Sequence, residues 1–507
     1  MKFRILGAVV AVAAGLTLTS SGGATAVGNE ELTADLDAIL ANAGLRGADV
    51  GITVRDTSTG EVVYTRSGSK RSQVASNTKL VTTTAALDLL GPDFKWKTEL
   101  VSAGSRSGST LNGDLVLRGG GDPTMSAQRY KALADALKNS GVTKVNGALL
   151  LDDTAFDGVP FGPGWAWDDE PYAYNAETSA LTVSADARLL AGTVNVRVKP
   201  GAADGAPAQV SVEPANDHVQ IVNNAITGSG SVSATREHGT NRIVVNGSIA
   251  KSSEDVLKAA PVQDPTSLVS SVFQKALQAN GIQVTGGARK AKAPQGAAVL
   301  ATETSKPLSE LVNPLLKESN NMMSEALVKT AGRTWSNGIN QLSTKWGGLG
   351  VDANWVEIFD GSGMSRFDQI SPDDLTWILT KAKAKPWFVA WATSLPIAGY
   401  DGTLANRMGG TAAQYNVWAK TGSMTGVSAL TGYVTTGEAQ PRQFAFSIVQ
   451  NNFVLNPNVI NPRSIEDAIA VRLAEQGRTT ATLSTAQLRG QGEERLDVEC
   501  SWIGTCK

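Results

Sequence analysis

A serine placed three residues before a lysine, Ser76-Asn77-Thr78-Lys79, stands at the mouth of an apolar run. The run, Leu80-Val81-Thr82-Thr83-Thr84-Ala85-Ala86-Leu87-Asp88-Leu89-Leu90, stops at Gly91-Pro92 like a finished helix. Side chains three apart on a helix share one face, so Lys79 reaches the hydroxyl of Ser76. A serine hydroxyl is a poor nucleophile until a neighbouring base removes its proton, so the pair reads as an acyl-transfer site with lysine as the base. Two further signatures follow in order, Ser319-Asn320-Asn321 and Lys420-Thr421-Gly422-Ser423. More than two hundred residues of different character separate Ser76 from Ser319. A fold that joins the signatures must therefore carry that segment as an insertion.

S-x-x-K alone is a weak signal, and the chain contains it at Ser67, Ser76 and Ser248. Ser67-Gly68-Ser69-Lys70 sits in a polar, turn-like stretch, and Ser248-Ile249-Ala250-Lys251 runs into Ser252-Ser253-Glu254-Asp255. Only Ser76 opens an apolar helix. Ser319-x-Asn321 is the single S-x-N of the chain and Lys420-Thr421-Gly422 the single K-T-G. Ser, Asn and Gly favour turns on their own account, but the conjunction in this order reads as a catalytic set.

Histidine supplies an independent argument for lysine. The chain has only His218 and His238, both in a polar, strand-like middle region, so a Ser-His-Asp triad is poorly provided for. A zinc site lacks ligands too, with no H-E-x-x-H and only two cysteines. No metal and no cofactor are expected. Lys+Arg 45 against Asp+Glu 47 leaves the chain almost neutral, which gives no electrostatic case for nucleic acid.

The first residues read as an export signal. Lys2 and Arg4 precede an apolar run from Ile5 to Leu18, and Ala24-Thr25-Ala26 offers a small-x-small cleavage site, so residues 1–26 are expected to be removed. The run is short for a membrane span, and no cysteine beside the cleavage site invites lipid attachment. An exported, extracytoplasmic protein is expected. In that setting Cys500 and Cys506 form one small disulfide loop in a polar tail, residues 477–507.

Along the chain, Leu32 to Leu45 reads as an amphipathic helix, and Val50–Val54 and Glu61–Thr65 as a hairpin. Val417 to Lys420, Ala429 to Val434 and Phe444 to Val449 read as strands, the first joining the same sheet as the hairpin. In between, Leu111–Arg118 and Val145–Asp152 look like strands, Ser126–Asn139 and Ser267–Asn280 like helices, and Thr193–Val245 like short, turn-rich strands. The expected class is α/β (α+β), an antiparallel sheet with helices.

The three signatures resemble the active-site set of penicillin-binding DD-peptidases and serine β-lactamases. The long insertion narrows the resemblance to class C low-molecular-mass penicillin-binding proteins, the D-alanyl-D-alanine carboxypeptidase/endopeptidase type of peptidase family S13. Four stretches are similar to that family besides: Leu117–Pro123 (LRGGGDP), Pro163–Asp169 (PGWAWDD), Asp360–Gly363 (DGSG) and Tyr400–Leu404 (YDGTL). The resemblance implies a catalytic domain from 27–97 and 312–476, an inserted domain from 98–121 and 199–311, and a second from 122–198.

It also implies roles. Ser76 attacks the carbonyl between two D-alanines of a peptidoglycan stem peptide, and β-lactams acylate the same hydroxyl. Lys79 takes the proton, its pKa lowered by Lys420 and by desolvation. Ser319 and Asn321 relay the proton and hold the substrate, while Lys420, Thr421 and Gly422 border the cleft near the terminal carboxylate. The N–H groups of Ser76 and Ser423 form an oxyanion hole, worth about 3 kcal/mol. A pocket for a zwitterionic stem side chain would use Asp168 and Arg366, with Trp165, Met424 and Thr425 around them. A β-lactamase, or a penicillin-binding wall protein without catalysis, are the alternatives. No extra carboxylate motif for rapid deacylation is evident, and all three signatures are intact.

Overall fold

The computed structural model describes residues 25–454 and 461–477. Most of the expected export signal, the cysteine pair and all but the first residue of the tail lie outside them.

Five antiparallel strands form the central sheet, in the order Val417–Met424, Val427–Thr435, Gln443–Asn451, Asp49–Asp56, Val62–Arg66. The two ends of the chain thus meet edge to edge, with Ile52 opposite Ile448 and Val54 opposite Phe446. Alternation along Gln443–Asn451 builds two cores at once. Phe444, Phe446 and Ile448 point to a layer made by Thr25–Leu40 and Pro462–Ala474, where Leu32, Leu36, Ile465 and Ile469 are buried. Ala445 and Val449 point the other way, to a layer that includes Thr78–Leu90, Asn321–Gly332 and Pro372–Ala382. The signatures sit in this second layer and on the edge strand beside it. The antiparallel sheet flanked by helices is the expected class.

The helix expected over Leu32–Leu45 begins earlier, at Thr25, and ends at Leu40, with a separate short turn at Ala43–Leu45. The helix expected over Ser126–Asn139 is Ala127–Asn139, with Ser126 as its cap, the side chain accepting from the N–H of Arg129.

The intervening segment departs from expectation in an informative way. The single strands expected over Leu111–Arg118 and Val145–Asp152 are each two strands, Thr110–Asn112 with Leu115–Gly119, and Lys144–Asn146 with Leu149–Asp152. Each half belongs to a different sheet. Chain passes break at Gly104, Gly113, Gly147 and Gly286, which cluster so closely that a side chain on one would overlap backbone of the next. Gly113, for example, has φ 134°, and a Cβ there would lie 2.7 Å from the Cα of Gly104. Glycine is what lets the strands cross from one sheet to the other.

Strand pairing also crosses the expected inner boundary at 121/122. Leu149–Asp152 pairs with Leu115–Gly119, and the next strand over is Lys97–Ser102. The helices Ala127–Asn139 and Pro265–Ala279 meet through Tyr130 and Phe273, whose rings are 6.4 Å apart. The strands from Thr193 to Pro261 make separate sheets on the same continuous core, which includes Leu100, Leu149, Val196, Ile243 and Phe273.

Candidate active site

Ser76 lies in a 3-10 turn, Ala75–Asn77, that leads into the helix Thr78–Leu90. Ala75 holds φ 46°, a left-handed conformation that costs a non-glycine residue about 1 kcal/mol. The turn is held by close backbone approaches. A Cβ on Gly363 would overlap the Ala75 carbonyl, and one on Gly422 would overlap that of Val74. The glycines of D-G-S-G and K-T-G are thus the two sides of a vice around the serine.

Lys79 is fully buried, and its Nζ reaches Ser76 Oγ at 2.8 Å, Asn321 Oδ1 at 2.6 Å and the Ser362 carbonyl at 2.9 Å. The last two are acceptors only, so they fix two of the amine's N–H bonds. A neutral Lys79 held by these two acceptors can turn its lone pair toward the serine hydroxyl.

Asn321 is the first residue of the helix Asn321–Gly332, and Asn320 caps it by accepting from the N–H of Met323 at 3.0 Å. The Asn321 amide donates to the Tyr174 carbonyl at 2.9 Å, tying the inserted segment to the site. Ser319, at φ 54°, takes a hydrogen bond from Lys420 Nζ at 2.8 Å. Lys420 also donates to its neighbour's carbonyl, that of Thr421, at 2.8 Å. The Thr421 hydroxyl donates to Thr403 Oγ1 at 2.9 Å, and Asp401, two residues before Thr403, pairs with Lys317 at 2.7 Å.

Lys420, Thr421, Gly422 and Ser423 lie on the edge strand of the sheet. Its inner side pairs with Val427–Thr435. On its outer side the N–H of Ala419 donates to the Pro396 carbonyl. Backbone groups repeat every second residue, so the N–H groups of Thr421 and Ser423 face outward as well. They are directed over the cleft that holds Ser76.

That cleft is lined by Ser76, Asp169, Tyr174, Asn321, Arg366 and Ser423, with Gly363, Met364 and Met424 filling its walls. Arg366 and Met424, both named for the expected side-chain pocket, are among this lining. Thr425 contributes its carbonyl, which accepts from the Arg366 guanidinium at 3.1 Å. Asp168 and Trp165 are not in the lining. Asp169 is the carboxylate at the cleft, accepting from the Tyr174 hydroxyl at 2.7 Å. Trp165 instead donates to Asp360 at 2.8 Å and packs edge-on against Trp335.

Beneath the site lies a group of buried carboxylates that the sequence reading missed. Glu325 accepts from the N–H of Ser362 at 2.8 Å and from the Trp335 indole at 2.6 Å. Burial, with the neighbouring charge of Asp360, pushes its pKa up to about 7. Asp368 is raised well above the ordinary range by the same two causes. Asp360 accepts from the N–H groups of Gly363 and Ser365, both at 2.7 Å. These carboxylates hold the loop whose Ser362 carbonyl fixes Lys79. One signal was legible: Glu325 follows Asn321 by four residues and so shares its helix face.

Comparison with known proteins agrees with this geometry. Residues 32–476 match the family described as D-Ala-D-Ala carboxypeptidase 3 (S13). The chain is 42% identical over 496 residues to a D-alanyl-D-alanine carboxypeptidase of Actinomadura sp., covering 94% of this chain and 90% of that protein. It is 27% identical over 414 residues to D-alanyl-D-alanine carboxypeptidase DacB of Haemophilus influenzae, with coverage of 78% and 85%. Among solved structures, penicillin binding protein 4 of Haemophilus influenzae shares the fold with a TM-score of 0.74 at 24% identity, over 88% of this chain and 98% of that one. The chain belongs to the D-Ala-D-Ala carboxypeptidase 3 (S13) family.

Proposed function

We propose that the protein is a serine DD-peptidase that cleaves the terminal D-alanyl-D-alanine bond of peptidoglycan stem peptides through an acyl-enzyme on Ser76. The observation that carries this reading is the buried Lys79 amine 2.8 Å from Ser76 Oγ, held there by Asn321 Oδ1 and the Ser362 carbonyl. Lys79 takes the hydroxyl proton as Oγ bonds to the penultimate D-alanyl carbonyl carbon. The oxyanion that forms is held by the N–H groups of Ser76 and Ser423. As the tetrahedral intermediate collapses, the C–N bond breaks and a proton passes to the leaving amine through Ser319, which Lys420 holds. Lys420 and Thr421 border the place of the terminal carboxylate. Water, deprotonated by the same lysine, then releases the acyl chain and restores Ser76.

Arg366 and Asp169 stand at one cleft and supply the opposite charges that a zwitterionic stem side chain needs. We assign the acidic role to Asp169 on that ground, in place of Asp168. Export by the apolar N-terminal run, with cleavage after Ala26, and a Cys500–Cys506 disulfide complete the reading. A solved Haemophilus influenzae penicillin binding protein 4 holds a β-lactam. Acylation of this protein by a β-lactam tests the proposal. After benzylpenicillin, intact mass should rise by one penicilloyl group in wild type and in Ser67→Ala, and not in Ser76→Ala. Labelling that survives Ser76→Ala overturns the assignment, and rapid loss of the adduct with turnover favours a β-lactamase.

A further inference from the structure

Away from the nucleophile, a cleft of about 1030 Å³ opens where the inserted segment meets the catalytic layer. Its walls come from five places in the chain: the segment after the Ser76 helix, the end of Leu115–Gly119, the turn after Leu149–Asp152, the loop 292–297, and the far end of Asn321–Gly332. The floor is firm. Trp96 is buried and its indole donates to Thr330 Oγ1 at 2.8 Å, with Phe94 edge-on to it at 5.2 Å.

The charge of the lining is one-sided. Of its carboxylates, Glu99 is paired with Arg118 at 2.6 Å. Asp152 is buried and committed to the wall, accepting from Thr154 Oγ1 at 2.7 Å and the Ala293 N–H at 2.8 Å. Lys95, Lys97, Lys292 and Arg333 remain, all exposed, and none has a carboxylate partner among the described residues. Four unneutralised cations around one cavity, in a chain of net charge −2, are a local field that selects anions. Arg333 is held at φ 69°, where glycine is the easier residue, and its carbonyl is fixed by the Asp157 N–H at 3.0 Å.

Position adds a second constraint. Asn321–Gly332 begins at a catalytic signature and ends at this cleft, and the segment that follows Thr78–Leu90 lines it. At 1.5 Å per residue the two centres are roughly 17 Å apart. We propose that the cleft is a second binding site, taking a carboxylate-bearing stretch of the same peptidoglycan polymer whose D-alanyl terminus lies at Ser76. This rests on the stem-peptide reading above. A strand that presents one terminus carries further stems with free carboxylates, and a cavity of this size accommodates a short peptide. The site would raise the affinity for polymer by adding a second attachment, without touching the chemistry.

The test compares wild type, the triple variant Lys95→Gln/Lys97→Gln/Lys292→Gln, and Arg333→Asn, which removes the charge. Binding is measured by co-sedimentation with purified sacculi stripped of phosphate polymers by hydrofluoric acid. The triple variant should bind at least tenfold more weakly and Arg333→Asn severalfold, and wild-type binding should weaken as salt rises. Benzylpenicillin acylation and hydrolysis of a short peptide ending in D-Ala-D-Ala should stay within twofold in every variant. If the triple variant loses acylation through misfolding, Arg333→Asn is read alone. Undiminished sacculus binding by the variants overturns the proposal, as does binding confined to sacculi that keep their phosphate polymers. Wild type that neither acylates nor hydrolyses would refute the peptidase reading instead, while the binding comparison still reports on the cleft.

Discussion

Ser362 joins Lys79 to a buried acid: its N–H donates to Glu325 at 2.8 Å while its carbonyl accepts from Lys79 at 2.9 Å. On the proposed mechanism Glu325 positions the base through this loop. Glu325→Gln would turn an amide N–H toward the Trp335 indole donor, a mismatch worth about 1–3 kcal/mol. If that is expressed at Lys79, benzylpenicillin acylation should slow roughly ten- to a hundredfold. The pH profile of acylation should move as well, whereas a residue with only a packing role would lower stability and leave the profile in place.

A second prediction concerns stability and pH. Asp368 accepts from the Phe359 N–H at 2.8 Å and has its pKa raised by burial and by Asp360. A raised carboxyl pKa means that the folded state holds its proton more tightly than the unfolded chain does. The stability it contributes is complete below about pH 4 and is lost as pH climbs toward the shifted value. Asp368→Asn keeps the acceptor for Phe359 and mimics the protonated acid. Melting temperature followed from pH 4 to 8 should fall less steeply in Asp368→Asn than in wild type. Parallel curves would show that Asp368 is not the group responsible.

The zwitterion pocket can be assigned by two neighbouring substitutions. Asp169→Asn should cost roughly ten- to a hundredfold in kcat/KM on a stem peptide with a free side-chain amine, and little on its acetylated analogue. Asp168→Asn should discriminate between the two peptides as wild type does. The reverse pattern would return the role to Asp168.

Close approach makes Gly422 a steric probe. Gly422→Ala drives a methyl against the Val74 carbonyl and within 3.3 Å of the Ser76 nitrogen. The edge strand must move away from the nucleophile, so acylation should fall by about two orders of magnitude while far-UV circular dichroism is unchanged. Near-normal acylation would mean that the strand can give way at no cost to the oxyanion donors.

The sequence was most legible where chemistry compels residue types. Ser76, Lys79, Ser319, Asn321 and Lys420 were found from short signatures, and the structure brings them together. Glu325 stayed hidden because a lone glutamate on a helix usually marks its wet face, and only three dimensions reveal the loop that buries it. The breaks at Gly113 and Gly147 fell inside stretches expected as single strands, because sheet membership depends on partners far along the chain. Asp168 and Asp169 are adjacent in the 3-10 turn Trp167–Asp169, where neighbours point about 120° apart. A one-residue choice there cannot be made without the backbone.

The edge-to-edge meeting of the chain's two ends has a consequence in time. Ser76 and Lys79 leave the ribosome early, but the strand that carries Lys420 and Ser423 comes more than three hundred residues later, and Gln443–Asn451 must follow to hold it. Until then the serine faces no lysine-bearing strand and lacks the Ser423 N–H. The two halves of the site therefore come together only after Gln443–Asn451 has been made.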